Sequence, residues 1–456
     1  MLDIKWVRLE SEKLKEIIGL KKIDPSKANV DRFLVLDEER SKLLHQQEEL
    51  NKFRNENATK MKSASEEEKT ALMNTGKELK EKIAELNLKI DSIEVEWKTI
   101  QSWFPNIMHP DMPIGNDSSD NVEIKAWRPD TGFLSSDKIG KGEESSVNMP
   151  LGIVSYENAS KFELRDHIDI GEKLGGIDVK QSAIVSGTRF SYLSGDIAKL
   201  QFSLQQFFSR ELFYKGYELL IPPVMVRERA LFGTSHFPGD ADQVYSVDGA
   251  LLEDPNSKLY LVGSSEPANF AYFMDRILQE EELPRKIFAT THCFRSEVGS
   301  WGKDVRGIKR VHQFDKLELD VVCSEDQSDM IFDELIALNE WLLQKLKLPY
   351  HIINMCTGDA GYYATAKKYD WEVWLPSQKK YMELGSCTNA LEYQARRMNI
   401  KYKTKTGETK FAHTVNDTGI AFGRMIIAII ENYQTSEGNI VVPEVLREYM
   451  GKDIIK

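Results

Sequence analysis

Residues 294–318, FRSEVGSWGKDVRGIKRVHQFDKLE, decide the reading of this chain. Both flanks have the composition of β-strands, and the Gly-rich stretch between them reads as a loop. Side chains two or four apart on a strand point to the same face. One hairpin is therefore expected to present Arg295, Glu297, Phe314 and Glu318 toward one site. That set offers a guanidinium fork for an anion, a flat apolar ring for a base, and carboxylates for a cation or hydroxyl. The loop carries Lys303, Arg306, Lys309 and Arg310 against one acid, Asp304. A polyanion bearing an aromatic base suits such a hairpin. An ordinary amphipathic hairpin with a charged loop is the other reading.

The totals narrow the choice. A chain of 456 residues has room for two or three domains with sizeable cores. With 41% apolar and 29% charged residues it reads as a soluble globular protein. No apolar run approaches the ~20 residues of a membrane span, and MLDIKWVRLESEK at the N-terminus has charge where a signal peptide needs an apolar core. A cytoplasmic protein without a membrane partner is expected. Cys293, Cys323, Cys356 and Cys387 form no CxxC pair, which argues against a zinc ribbon and for reduced thiols. The net charge of −12 means that any nucleic-acid contact must rest on a local basic patch. There is no GxGxxG and no GxxxxGK[ST], so the usual phosphate-loop folds lack support.

From about Ala28 to Gln101 the only glycine is Gly76. Leu72 is followed seven residues later by Leu79, and from there Ile83, Leu86, Ile90, Ile93, Trp97 and Ile100 come at alternating spacings of four and three, the seam of a coiled coil. Leu36, Leu43 and Leu50 repeat every seven, with Arg40, Gln47, Arg54 and Asn57 at the other seam positions, so this seam is wetter and is expected to loosen toward Met61. Ser65 and Glu68 spell a capping box that starts a second helix. Two helices of ~35 residues predict an antiparallel hairpin ~50 Å long. It serves either as a dimerisation coiled coil or as an arm reaching a distant partner. Lys52, Arg54, Lys60 and Lys62 on one helix, with Lys77 and Lys80 on the other, would give its outer half a phosphate-binding surface.

A Pro-rich connector through Pro113 separates this arm from a mixed region beginning near Val122. Strands are expected at 217–221, 259–262, 287–293, 314–322 and 381–384, and helices at 197–214, 267–279, 327–346 and 419–433. They do not alternate at βαβ spacing, so a mostly antiparallel sheet flanked by helices is expected. Ser264, Ser265 and Glu266 put two hydroxyls and a carboxylate at a strand-to-helix junction, where a helix cap is the alternative role. Glu383 is expected to share a strand face with Gly385, ahead of Ser386; such a carboxylate could hold Mg²⁺ beside a phosphate. Asn416, Asp417, Thr418 and Gly419 are expected to open an apolar helix bearing Arg424. An Arg there is either ion-paired or aimed at an anion, because an unpaired buried charge is costly.

Together these segments resemble seryl-tRNA synthetases of class II over nearly the whole chain. Motif 1 of the class is similar to Gly216–Pro223, motif 2 to the opening hairpin, and motif 3 to Gly419–Arg424. The segment VPEVLREYM, 442–450, also resembles the family. The resemblance implies an α+β class II catalytic domain over 113–456. It also implies an N-terminal tRNA-binding domain over 1–112 whose two-helix coiled-coil arm spans about 28–101. It implies a serine–tRNA ligase that is a homodimer through Pro223, uses ATP with Mg²⁺ to activate L-serine, and charges tRNA(Ser), with tRNA(Sec) as a further candidate.

By the same resemblance Arg295 and Arg424 are the catalytic cations. Arg295, Ser296, Glu297, Val311, Phe314, Glu383, Leu384, Gly385, Ser386 and Arg424 line the ATP site, with Glu383 and Ser386 on Mg²⁺. Ser264, Ser265, Glu266, Arg295, Glu318 and Thr418 bind serine. The arm, through Lys52, Arg54, Lys60, Lys62, Lys77 and Lys80, follows the long variable arm of the tRNA. The chain departs from the family wording at Ser264, where Thr is usual, at Asp417-Thr418 and at Gly385. None of these changes removes a charged group. No His or Cys nucleophile is needed, so His312 is expected to be structural.

Overall fold

The computed structural model describes residues 1–129, 132–133, 162–247, 258–298, 307–361 and 363–456. Lys303, Asp304 and Arg306 of the motif 2 loop lie outside the described residues. The chain forms two compact units, Met1–Pro105 and Asn106–Lys456.

In the first unit two short helices, α1 (Ile4–Leu9) and α2 (Ser11–Leu20), precede the long pair α3 (Val30–Met61) and α4 (Glu66–Ser102). Asn29 caps α3 by accepting from the Arg32 amide. At α4 the expected capping box is present: the Ser65 hydroxyl accepts from the Glu68 amide, and the Glu68 carboxylate accepts from the Ser65 amide. α3 and α4 run antiparallel, with Arg32 paired to Glu96 near one end and Asn57 meeting Leu72 near the other. Ile83, Leu86, Ile90, Trp97 and Ile100 are buried, whereas Leu43, Leu50, Leu72 and Leu79 are only half-buried, so the seam loosens toward the tip.

Polar seam residues find partners across the pair. Arg40 reaches Glu94 at 2.7 Å and lies over the Trp97 ring at 4.9 Å. Gln47 donates to Asn87. Asn57 donates to the Leu72 carbonyl, and it crosses beside Gly76, where a Cβ would lie 3.2 Å from its amide nitrogen. The base is the more tightly packed end. Phe33 stacks on Trp97 at 5.2 Å and meets Phe104 edge-on at 5.0 Å, each such pair adding about 1 kcal/mol beyond area burial. Asp37 accepts from both Arg8 and Trp97 there.

The second unit is built on a nine-stranded sheet. Its strands are β1 (Val122–Arg128), β2 (Gly132–Phe133), β3 (Glu218–Leu219), β4 (Arg285–Phe294), β5 (Gln313–Cys323), β6 (Tyr350–Asn354), β7 (Lys367–Leu375), β8 (Lys380–Asn389) and β9 (His413–Ala421). Their order across the sheet is β2-β1-β6-β7-β8-β9-β5-β4-β3. Every neighbouring pair is antiparallel except β3 and β4. Helices α5 (Gly195–Tyr214), α7 (Ser328–Lys345) and α8 (Phe422–Asn432) pack on it, and α6 (Glu266–Ala271) packs against β5. On β5 the period of two is plain. Leu317, Leu319 and Val321 join the core with Phe208, Leu335 and Ile426, while Phe314, Lys316 and Glu318 face a cavity. Burying each such Leu or Ile stabilises the fold by roughly 1.5–3 kcal/mol.

Two expected helices are shorter than their composition suggests. The helix expected over 267–279 spans only Glu266–Ala271; Ile277–Gln279 is a short strand paired with Lys401–Lys403. Asn416–Ala421 extend β9 rather than opening a helix, because their backbone groups pair with Lys316–Asp320 of β5. A register shift falls at Gly419, where a Cβ would sit 2.8 Å from the Leu317 side chain. The helix therefore starts at Phe422, and Arg424 is its third residue. β7, β6, β1 and β2, which continue the sheet beyond β8, were not expected from the sequence.

Candidate active site

The β4–β5 hairpin pairs Arg285–Phe294 with Gln313–Val322 in continuous antiparallel register. Phe314 and Glu318 share a face by strand alternation, as expected. Arg295 and Glu297 arrive differently: β4 ends at Phe294, and both lie in the loop beyond it. The Arg295 amide donates to the His312 carbonyl, and Arg295 Nε donates to the Gly263 carbonyl at 3.2 Å. Its guanidinium lies 5.4 Å from the centroid of the Phe314 ring. Glu297 has a left-handed backbone, φ +52°, and its carboxylate is 3.4 Å from Arg310. His312 closes the hairpin, with Nδ1 at 3.0 Å from the Arg295 carbonyl and its ring against Phe190.

These residues open onto a cavity of about 260 Å³. Of the residues singled out from sequence, Ser264, Glu266, Arg295, Glu297, Val311, Phe314, Glu318, Glu383, Leu384, Gly385, Ser386, Thr418 and Arg424 line it. Ser265 and Ser296 do not. Ser265 accepts from Asn269, and Ser296 donates to the Asp242 carbonyl at 2.6 Å. His236, Lys316, Lys368 and Thr388 line the cavity without having been marked. Lys316 was within reach of sequence reasoning, because it sits between Phe314 and Glu318 on one strand face. His236 and Lys368 carry no local signal; other parts of the chain bring them in.

A bulge sets the β8 wall. Trp371 pairs with Gly385 but Glu372 pairs with Glu383, so Leu384 is an extra residue. Alternation is reset across it, and Glu383 and Ser386, three apart, both reach the cavity. At Gly385 the backbone of β8 comes close to Thr418 of β9. A Cβ there would lie 2.6 Å from Thr418 Cβ and 2.9 Å from the Trp371 ring, so no side chain fits beside Thr418.

The charges form two groups with Arg295 between them. In the first, Glu266 and Glu318 are buried, at 4% and 1% exposure. Burial and the neighbouring Glu318 push the Glu266 carboxyl up to about 8, although Gln394 donates to it at 2.7 Å. Burial also raises Glu318, opposed by its ion pair with Lys316 and by a hydrogen bond from Ser264. Behind them Asp320, held by Asn269, and Asp417, held by Asn339, are raised well above the carboxylate range by burial. His236 is pushed down to about 3 by burial and by Arg295 and Lys316, so its ring is neutral. In the second group the Arg424 guanidinium, 3.2 Å from Glu383, holds that carboxylate down to about 2, with help from Lys368. One end of the cavity thus combines two acids with the Ser264 and Thr418 hydroxyls, which suits a small ligand bearing an ammonium and a hydroxyl. The other combines guanidinium groups, an ionised carboxylate and an aromatic ring, which suits a nucleotide.

Two family models match the chain: the seryl-tRNA synthetase N-terminal domain over residues 1–108 and the tRNA synthetase class II core domain (G, H, P, S and T) over residues 245–433. Among solved structures the chain is similar to the seryl-tRNA synthetase of Pyrococcus horikoshii complexed with ATP. That match has 32% identity and a TM-score of 0.83, and covers 100% of this chain and 99% of that one. It is also similar to the cytoplasmic serine–tRNA ligase of Naegleria fowleri in complex with AMP, with 30% identity and a TM-score of 0.78 over 98% and 95% of the two chains. Among curated proteins it is 37% identical over 459 residues to the serine–tRNA ligase of Caldicellulosiruptor saccharolyticus, covering 100% of both chains. It is 35% identical to that of Dictyoglomus turgidum, covering 99% of this chain and 98% of the relative.

Proposed function

The chain belongs to the seryl-tRNA synthetase family and is a serine–tRNA ligase, and from that premise we propose how its cavity divides the work. In the first step a serine carboxylate oxygen attacks the α-phosphorus of ATP, and the bond to the departing pyrophosphate breaks. In the second, the terminal 3′ hydroxyl of the tRNA attacks the carbonyl carbon of seryl-adenylate, and AMP leaves. Both reacting partners of the first step are anions, so positioning and charge neutralisation are the main requirements.

Arg295 grips the α-phosphate and the serine carboxylate; its place between the two charge groups of the cavity supports this. Phe314, with Val311 beside it, stacks on adenine, and Glu297 is positioned at the nucleotide by Arg310. Arg424 meets the nucleotide by exchanging its contact with Glu383 for a phosphate or the free face of adenine. Glu383 and Ser386 would hold Mg²⁺, which would neutralise phosphate charge. One ionised carboxylate and one hydroxyl beside ATP is a donor set that suits an ion keeping water and phosphate oxygens as its other ligands. Serine sits with its ammonium at Glu266 and Glu318 and its hydroxyl among Ser264, Glu318 and Thr418. Alanine leaves such buried polar groups unpaired, a penalty that discriminates by roughly 10⁴ or more.

The observation that carries the serine assignment is the buried Glu266–Glu318 pair beside two hydroxyls and Arg295. The test is ATP–pyrophosphate exchange with each of the twenty amino acids, then charging of purified tRNA(Ser) and tRNA(Sec). Exchange with serine at least ~100-fold above alanine and threonine is expected; equal exchange with alanine refutes the pocket.

We also read the catalytic unit as a homodimer. Phe202, Phe213 and Tyr214 on α5 and Leu219 and Ile221 on and beside the edge strand β3 are exposed and apolar, next to Pro223. An apolar patch on an unpaired sheet edge asks for a partner. Sedimentation equilibrium at micromolar concentration should give twice the chain mass, and a monomer there contradicts the reading. A cytoplasmic setting accords with the four free, buried thiols and with no described helix being long and apolar enough to cross a membrane.

A further inference from the structure

Lys316 lies 5% exposed in the middle of the strip that β5 presents to the cavity, between Phe314 and Glu318. Its ammonium is ion-paired with Glu318 and lies 3.5 Å from Thr418 Oγ1. An ammonium in such a place is costly unless its partner is charged.

Glu318 has few other sources of charge stabilisation. From α6 it faces Glu266 and from its own strand Asp320, while Asp417 of β9 lies behind, held by Asn339. All three are acids that burial holds toward the protonated form. The Cys293 thiol is pushed up to about 11, and the His236 ring near Lys316 is neutral. Among the described residues the other cation acting on Glu318 is Arg295, and its Nε is engaged by the Gly263 carbonyl. Lys316 is thus the cation in direct contact with Glu318.

We propose that Lys316 is a positioning residue for serine: it keeps Glu318 ionised and aligned, so that Glu318 takes the amino acid's ammonium, and it steadies the Thr418 hydroxyl. The proposal rests on serine occupying the Glu266–Glu318 end. Without Lys316, the Glu318 carboxyl is left among acids, its proton affinity rises, and at neutral pH it meets an ammonium uncharged.

The test is serine-dependent exchange from pH 6 to 8.5 on the full-length enzyme with Lys316→Met, Lys316→Arg and Glu318→Gln. Lys316→Met is expected to raise the serine KM at pH 7 by ~30-fold or more, the scale for losing one partner of a buried charge pair. The ATP KM should stay within about twofold. The acid limb of kcat/KM for serine should move up by about one pH unit or more, because the carboxylate loses its cation. Lys316→Arg keeps a cation and should leave that limb in place while still raising the serine KM, since a planar fork does not reproduce an ammonium's contacts.

An unmoved acid limb with an unchanged serine KM in Lys316→Met overturns the proposal. If the methionine variant does not fold, Lys316→Gln, which also removes the charge, is read by the same two criteria. Glu318→Gln separates the two levels. A normal serine KM there means that serine binds elsewhere and the site reading itself fails. A loss there with no change in the Lys316 variants defeats only the role of Lys316.

Discussion

Replacing Glu318 with alanine is expected to abolish serine-dependent ATP–pyrophosphate exchange while the enzyme stays folded. Glu318 is 1% exposed and sits among Lys316, Ser264 and Glu266. Truncating one member of a buried, hydrogen-bonded charge pair costs about 2–5 kcal/mol, or roughly 30- to 3000-fold in kcat/KM at 1.4 kcal/mol per decade. The fold should survive because Glu266, now protonated near neutral pH, can ionise toward the stranded Lys316. Exchange is to be measured with saturating ATP over a range of serine, alongside thermal unfolding. A folded variant with near-normal exchange ends the assignment of Glu318 to serine.

Shortening the arm should have the opposite profile: exchange stays within about twofold and charging of tRNA(Ser) collapses. Removing all of 30–97 takes away Phe33, Asp37 and Trp97, and with them the partners of Phe104 and Arg8. The cleaner variant replaces 41–93 with a short Gly-Ser turn, keeping Arg40 opposite Glu94. It removes Lys52, Arg54, Lys60, Lys62, Lys77 and Lys80, which are exposed and have no acid partner among the described residues. If three of the six each contribute about 1 kcal/mol through phosphate contacts, kcat/KM for tRNA falls roughly 100-fold. Unchanged charging would mean that the arm does not read the tRNA.

The arm and the core of motif 2 were legible because their signals are local. A seven-residue repeat is visible within one helix, and Ser65 with Glu68 marks its start within four residues. The alternation on β5 placed Phe314 and Glu318 correctly, and would have yielded Lys316 had it been followed through. Composition misled at 416–421, where an apolar run next to a true helix has its amides taken by β5. It misled again at 272–279, part of which is a strand partner of residues more than a hundred positions away.

The sequence by itself determined the two-part architecture, the helical arm, the hairpin and, through ordered motifs, the reaction class. Only the tertiary structure decided how the site closes. The bulge at Leu384 brings Glu383 and Ser386 to one wall, and the shift at Gly419 fits β9 against Leu317. The loop beyond Phe294 turns Arg295 and Glu297 inward, and β7 and the 234–236 segment bring Lys368 and His236. Periodicity is a property of neighbours along the chain. Register, bulges and the protonation of buried acids depend on partners that are distant in sequence and meet only when the sheet has formed.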